Sequence, residues 1–153
     1  MPGHQLAEVN VSRLRWPIDD PAMGKFVRAL GDVNWLAERS PGFVWRHSSG
    51  SDPVTYAELA GEGQVVVTLS VWDDFESLQR FVTQTAHGLF MRQRGRWFLP
   101  LGGFTTALWW VRSGHQPALA EALGRLERLR SHGPTPDAFS LRRQFDAGGA
   151  PVR

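Results

Sequence analysis

The chain has no cysteine, and its 153 residues include only one lysine and one tyrosine. Without thiols there is no zinc-thiolate site, iron-sulfur cluster, thiol nucleophile or disulfide scaffold. An excess of one charge is missing too. Seventeen basic and fifteen acidic residues leave a formal charge of +2, so charge gives no reason to expect nucleic acid as a partner. No apolar run approaches the roughly 18 residues of a membrane span, the nearest being Phe104 to Val111. Glu8, Asn10, Ser12 and Arg13 interrupt the stretch where a secretory peptide needs its apolar core. The expected location is therefore the cytoplasm. Aromatic residues are abundant by contrast, with seven tryptophans and nine phenylalanines. That load points to a planar or apolar ligand.

Composition is that of a folded protein, with 42% hydrophobic and 21% charged residues. The length suits one domain, expected over residues 1–143 with a loose tail over 144–153. Residues Leu6 to Leu14 alternate as a half-buried strand, Ala7, Val9 and Val11 on one face and Glu8, Asn10 and Ser12 on the other. Asp19-Asp20-Pro21 opens a helix whose Phe26, Leu30, Val33 and Ala37 recur at helical spacing. Short strands are predicted at 43–47 and 54–59, and a central strand at Gln64 to Trp72. Asp73 or Asp74 caps a second helix, and a further helical segment spans about 87–98. A strand at Phe104 to Val111 and a helix stopped by His132-Gly133-Pro134 follow.

This order predicts an α+β fold, a ferredoxin-like split βαβ antiparallel sheet with helices on one face and with additions. The other face would carry some of Trp45, Trp72 and either Trp109 or Trp110. So large an apolar patch needs a cover, and a homodimer closing a chamber between two sheets is the expected solution.

Several residues could carry chemistry. Asn10 is the polar residue in the middle of strand one, able to hold a ligand carbonyl if its face lines a pocket, or else marking a bulge. His87 opens a helical segment, where it would serve as a general base, as a heme ligand, or simply as a cap. Trp45, Trp72, Trp97, Trp109 and Trp110 are candidate pocket walls or ordinary core, with Trp72 favoured because Thr68 and Ser70 leave room beside it. Arg92 and Arg96 share a helix face and would hold a carboxylate at a rim, or form a solvated face. Arg46 points to the same mouth or to the opposite side. Phosphate loops, paired metal-binding histidines and nucleophile elbows are absent from the sequence.

Ser40-Pro-Gly-Phe-Val-Trp-Arg46, Ser70-Val-Trp-Asp-Asp-Phe-Glu-Ser-Leu78, Ala86-His87 with Arg96-Trp97-Phe98, Leu108-Trp-Trp-Val111 and His132-Gly-Pro-Thr-Pro136 together resemble the domain-of-unknown-function family 3291. The resemblance implies a dimeric α+β barrel, the superfamily of antibiotic-biosynthesis monooxygenases, heme-degrading monooxygenases and several isomerases and decarboxylases. Heme-degrading members use an asparagine on strand one, a tryptophan after the third strand and a histidine as iron ligand. Asn10 and His87 are similar in position, and Phe81 stands where the tryptophan would be. The expected function is thus a small-molecule enzyme, monooxygenase-like or isomerase- or cyclase-like and without cofactor, acting on an apolar aromatic or polyketide-like substrate. In it Asn10 orients the substrate and His87 moves a proton. The alternatives are a heme protein with His87 as axial ligand, and a non-catalytic ligand-binding dimer.

Overall fold

The computed structural model describes residues 3–48, 55–59, 63–86 and 93–153. His87 and Arg92 lie outside the described residues. One antiparallel sheet organises the chain around β1 (His4–Leu14) and β4 (Gly63–Trp72), which pair from Leu6 opposite Trp72 to Arg13 opposite Val65. On its far side β4 carries β2 (Phe43–Arg46) and β3 (Thr55–Leu59). On its own far side β1 carries β5 (Phe98–Leu99) and β6 (Thr106–Arg112). Taking β1, β2, β4 and β6 as the four principal strands, their order across the sheet is that of the ferredoxin-like fold.

Helix α1 (Gly24–Glu38) follows a single turn at Pro21–Met23, capped by Asp20, whose carboxylate accepts the Ala22 N–H at 2.8 Å. Helix α2 (Phe75–Phe81) begins at Asp74, which accepts from the Ser77 N–H at 2.8 Å and runs on through a π-helical turn at Val82–Ala86. Hydrogen bonding from Ser77 holds the Asp74 carboxyl below its ordinary pKa. The region expected as a helix over 87–98 contributes one described helical turn, α3 (Arg94–Trp97). Helix α4 (Leu119–His132) ends at Gly133, whose φ of 72° terminates it.

Strand alternation divides the core in two. The odd-numbered face of the sheet, including Ala7, Val9, Val11, Val67, Leu69 and Trp109, packs against Ala122, Leu126 and Leu129 of α4. The even-numbered face packs against α1 and α2 through Leu14, Val66, Phe26 and Leu30, and through Leu6, Trp72, Ala37 and Leu78. Helices α1 and α2 thus share one face, as the split βαβ pattern requires, and α4 is an addition that covers the other. The face expected to need another copy of the chain as its cover, the one carrying Asn10 and Trp72, is roofed by α1 and α2, while Ala7, Val9 and Val11 face α4.

The last ten residues, expected as a loose tail, form a closed hairpin. Val152 N–H donates to the Gln144 carbonyl at 2.9 Å, and Asp146 Oδ1 accepts from Gly148 and Ala150 N–H at 3.0 and 2.9 Å. Upstream, Phe139 exchanges both backbone hydrogen bonds with Leu108 and so pairs with β6. The hairpin docks on the sheet because Trp110 Nε1 donates to the Phe145 carbonyl at 2.7 Å.

Candidate functional site

The even-numbered face of the sheet is amphipathic, and that creates a cavity. Along β1 this face presents Leu6, Glu8, Asn10 and Ser12, and along β4 Val66, Thr68, Ser70 and Trp72. Register places Thr68, Asn10 and Thr106 side by side across three strands, and Arg46, Ser70 and Glu8 in the neighbouring row. Opposite this polar floor, α1 and α2 present Phe26, Leu30, Val33, Leu78 and Phe81. Apolar side chains cannot satisfy a polar floor, so the two layers stand apart around a space of about 330 Å³. That lies within the range of small-molecule sites.

Glu8 is the unusual group on the floor. Its Oε2 is buried and has no hydrogen-bond partner among the described residues, while part of the side chain faces the cavity. Burial without a compensating charge raises its pKa from 4.5 to about 7. Beside it, Asn10 Oδ1 accepts from the Thr106 hydroxyl at 2.8 Å. That contact fixes the amide and leaves Nδ2 as its donor. Trp72 stacks on Phe81 with ring centroids 5.1 Å apart and planes at 28°, meets Phe43 edge-on at 5.4 Å, and donates from Nε1 to Ser70 Oγ at 3.0 Å. A planar aromatic wall therefore borders the polar floor.

Of the residues singled out by sequence, Asn10, Trp72 and Phe81 line this cavity together. Trp45, Trp97, Trp110 and Arg96 do not. A bulge between Phe43 and Trp45 turns both Val44 and Trp45 toward the α4 side and returns Arg46 to the cavity face. Trp97 packs edge-on against Phe26 at 5.5 Å, in the cluster of Leu14, Met23 and Val66. Trp110 holds the C-terminal hairpin, and Arg96 is exposed on α3. Trp109, on the odd face, donates to Glu121 Oε2 at 3.1 Å. Asn10 faces the cavity by a different route from the one anticipated: the apolar set Ala7, Val9 and Val11 faces α4, and α1 and α2 roof the polar side.

Sequence reasoning passed over Glu8 and left the direction of Arg46 open. The signal for Glu8 was available, since it lies two residues from Asn10 on a strand and must share its face. Carboxylates are also depleted inside strands. For Arg46 the bulge decides the side, and nothing in the residue pattern announces that bulge.

His87, the candidate heme ligand, lies outside the described residues, and no group of three or more His, Asp or Glu side chains among the described residues could hold a metal ion. Arg46 of the lining binds Glu38. No helix among the described residues is long and apolar enough to cross a membrane.

Residues 5–153 match the family described as "Domain of unknown function (DUF3291)". The chain belongs to this family. No curated protein matches the sequence of this chain. Among solved structures it is similar to PA3566 from Pseudomonas aeruginosa, at 9% identity and a TM-score of 0.47, over 76% of this chain and 99% of that one. It is also similar to SnoaB, a cofactor-independent oxygenase from Streptomyces nogalater, at 14% identity and a TM-score of 0.43, over 76% and 98% of the two chains. The fold assignment rests on strand order and not on these likenesses.

Proposed function

We propose that this DUF3291 protein is a cofactor-independent enzyme that moves a proton on a planar, apolar small molecule held between the sheet and α1/α2. The observation that carries the reading is Glu8: a carboxylate buried against a cavity, without a partner for Oε2, and with a pKa of about 7. Maintaining such a group costs stability, and groups with pKa values near working pH serve as general acids and bases. A substrate with an acidic C–H or O–H lies on the Trp72 and Phe81 wall. Glu8 takes the proton, and the electron pair left behind delocalises onto the substrate's carbonyl or phenolic oxygen. Asn10 Nδ2, steadied through Oδ1 by Thr106, donates to that oxygen as its charge grows. The resulting carbanion or phenolate is the shared starting point of isomerisation, cyclisation and direct reaction with oxygen, so the reading joins the activity classes raised from sequence. His87 is not needed for this step.

The test is isotope exchange in heavy water on a panel of aromatic ketones with an acidic C–H, followed by mass spectrometry. The protein should speed deuterium uptake, with a rate that rises through about pH 7 as Glu8 ionises. Glu8→Gln should remove at least ~100-fold of the acceleration, the usual worth of a positioned base. A Glu8→Gln variant as fast as the wild type refutes the assignment. Binding of the panel with no exchange at any pH gives the non-catalytic reading instead.

A further inference from the structure

Arg46 stands in the same cross-strand row as Glu8, separated from it by Ser70. Adjacent strands lie about 4.8 Å apart, so their backbones are roughly 10 Å apart along the cavity floor. The guanidinium is mostly buried, with 22% of its side-chain surface exposed, and it is held from two sides. Nε donates to Glu38 Oε1 at 2.7 Å, and Nη1 reaches the His47 carbonyl at 3.4 Å. Neither contact uses Nη2. Arg46 is also the only permanently charged cation among the described lining residues. Glu38 is the more exposed member of the pair, at 41%, so solvent screens its neutralising effect more than a ligand inside the cavity would be screened.

Resting on the reading of this cavity as the binding site, we propose that its natural ligand is a planar apolar molecule carrying an anionic group, a carboxylate or its equivalent, at the end remote from the reacting atom, and that Arg46 is the residue selecting for it. The anion meets Nη2 and the open edge of the guanidinium, whose fork geometry suits a carboxylate. The aromatic body spans Ser70 against the Trp72 and Phe81 wall. The acidic C–H or O–H then falls at Glu8, and the anion is kept away from the one floor residue that would repel it. The charged end thereby fixes which end of a nearly featureless planar ligand faces the base.

Two fluorescent probes of nearly the same shape separate charge from fit: 8-anilino-1-naphthalenesulfonate, an anion, and N-phenyl-1-naphthylamine, its neutral counterpart. The wild type should bind the sulfonate at least about tenfold more tightly than the amine, the worth of one charge-assisted hydrogen bond. Arg46→Gln should abolish that preference and leave the neutral probe within about twofold. Glu38→Gln, which keeps a hydrogen-bond acceptor for Arg46 while removing the competing charge, should strengthen sulfonate binding and leave the amine unchanged. A merely structural ion pair between β2 and α1 would make both variants fail in the same direction for both probes. Equal affinity of the wild type for the two probes, or an unchanged ratio in Arg46→Gln, overturns the proposal. Phe81→Ala should weaken both probes; if it weakens neither, they bind elsewhere and the cavity assignment itself falls.

Discussion

Replacing Glu8 by glutamine should make this protein more stable at alkaline pH relative to its effect at acid pH. The folded-state pKa is raised from 4.5 to about 7 by burial. Below pH 4.5 the carboxyl is protonated in both folded and unfolded chains and contributes no pH dependence. Between 4.5 and about 7 the unfolded chain releases its proton while the folded one retains it, so folding is progressively disfavoured as pH rises. Above about 7 the folded state carries the full cost of a buried charge. Each pH unit in that interval is worth about 1.4 kcal/mol, so the whole amounts to roughly 3 kcal/mol, and water admitted to the cavity lowers it. For a chain of this length that pH-dependent part corresponds to roughly 6 to 12 °C of melting temperature between pH 4 and pH 8. Glutamine brings an amide that also lacks partners and costs about 1 kcal/mol or more at every pH. The readout is therefore the difference between variants at pH 8 minus that at pH 4, from urea unfolding. A pH-independent difference would mean that Glu8 ionises in the folded state as readily as in solvent. The proton-transfer assignment would then lose its physical basis.

Two other substitutions probe the parts that hold the site in place. Gly42 has a φ of +85°, and a Cβ there would collide with the Ser77 side chain. Gly42→Ala should therefore cost about 2 kcal/mol or more by strain and overlap, seen as a lower urea midpoint; a change under about 0.5 kcal/mol contradicts the packing of β2 against α2. Asp146→Ala removes the acceptor of two backbone N–H groups in the C-terminal hairpin, and the backbone amides at position 146 and at Val152 should exchange with solvent at least about tenfold faster while those of β1 and β4 are unaffected. Unchanged exchange there would mean that the Asp146 carboxylate does not hold the turn.

Much of the architecture was legible because it depends on short periods and strong punctuation. The alternation around Val9 and Val67, the helical recurrence from Phe26 to Ala37, and the break at Ser40-Pro41-Gly42 each commit a segment to one shape before any tertiary contact forms. The C-terminal hairpin was missed for the opposite reason. Its order comes from one aspartate accepting two N–H groups and from a tryptophan donating to a carbonyl 35 residues away, and composition carries no trace of either. Trp45 was misplaced by a single extra residue in β2, because in a strand one residue's slip reverses every side chain beyond it.

The cavity was harder to read than the fold because alternation says which residues share a face but not what lies over it. Ala7, Val9 and Val11 look like the face that needs the helices, and α4 does cover them, but it comes from more than a hundred residues downstream. The helices adjacent in sequence cover the polar side, which a purely stabilising design would leave to water. Roofing Glu8, Asn10 and Thr68 with phenylalanine and leucine sacrifices hydrogen bonds and leaves a buried acid unsatisfied. Such a cost is tolerable only where the odd-face core is sound by itself, as it is here, with Val9, Val65, Val71, Ala107 and Trp109 fully enclosed. The division of labour between the two faces of one sheet, one satisfied and one held short of satisfaction, is the physical ground for placing function on the even-numbered side.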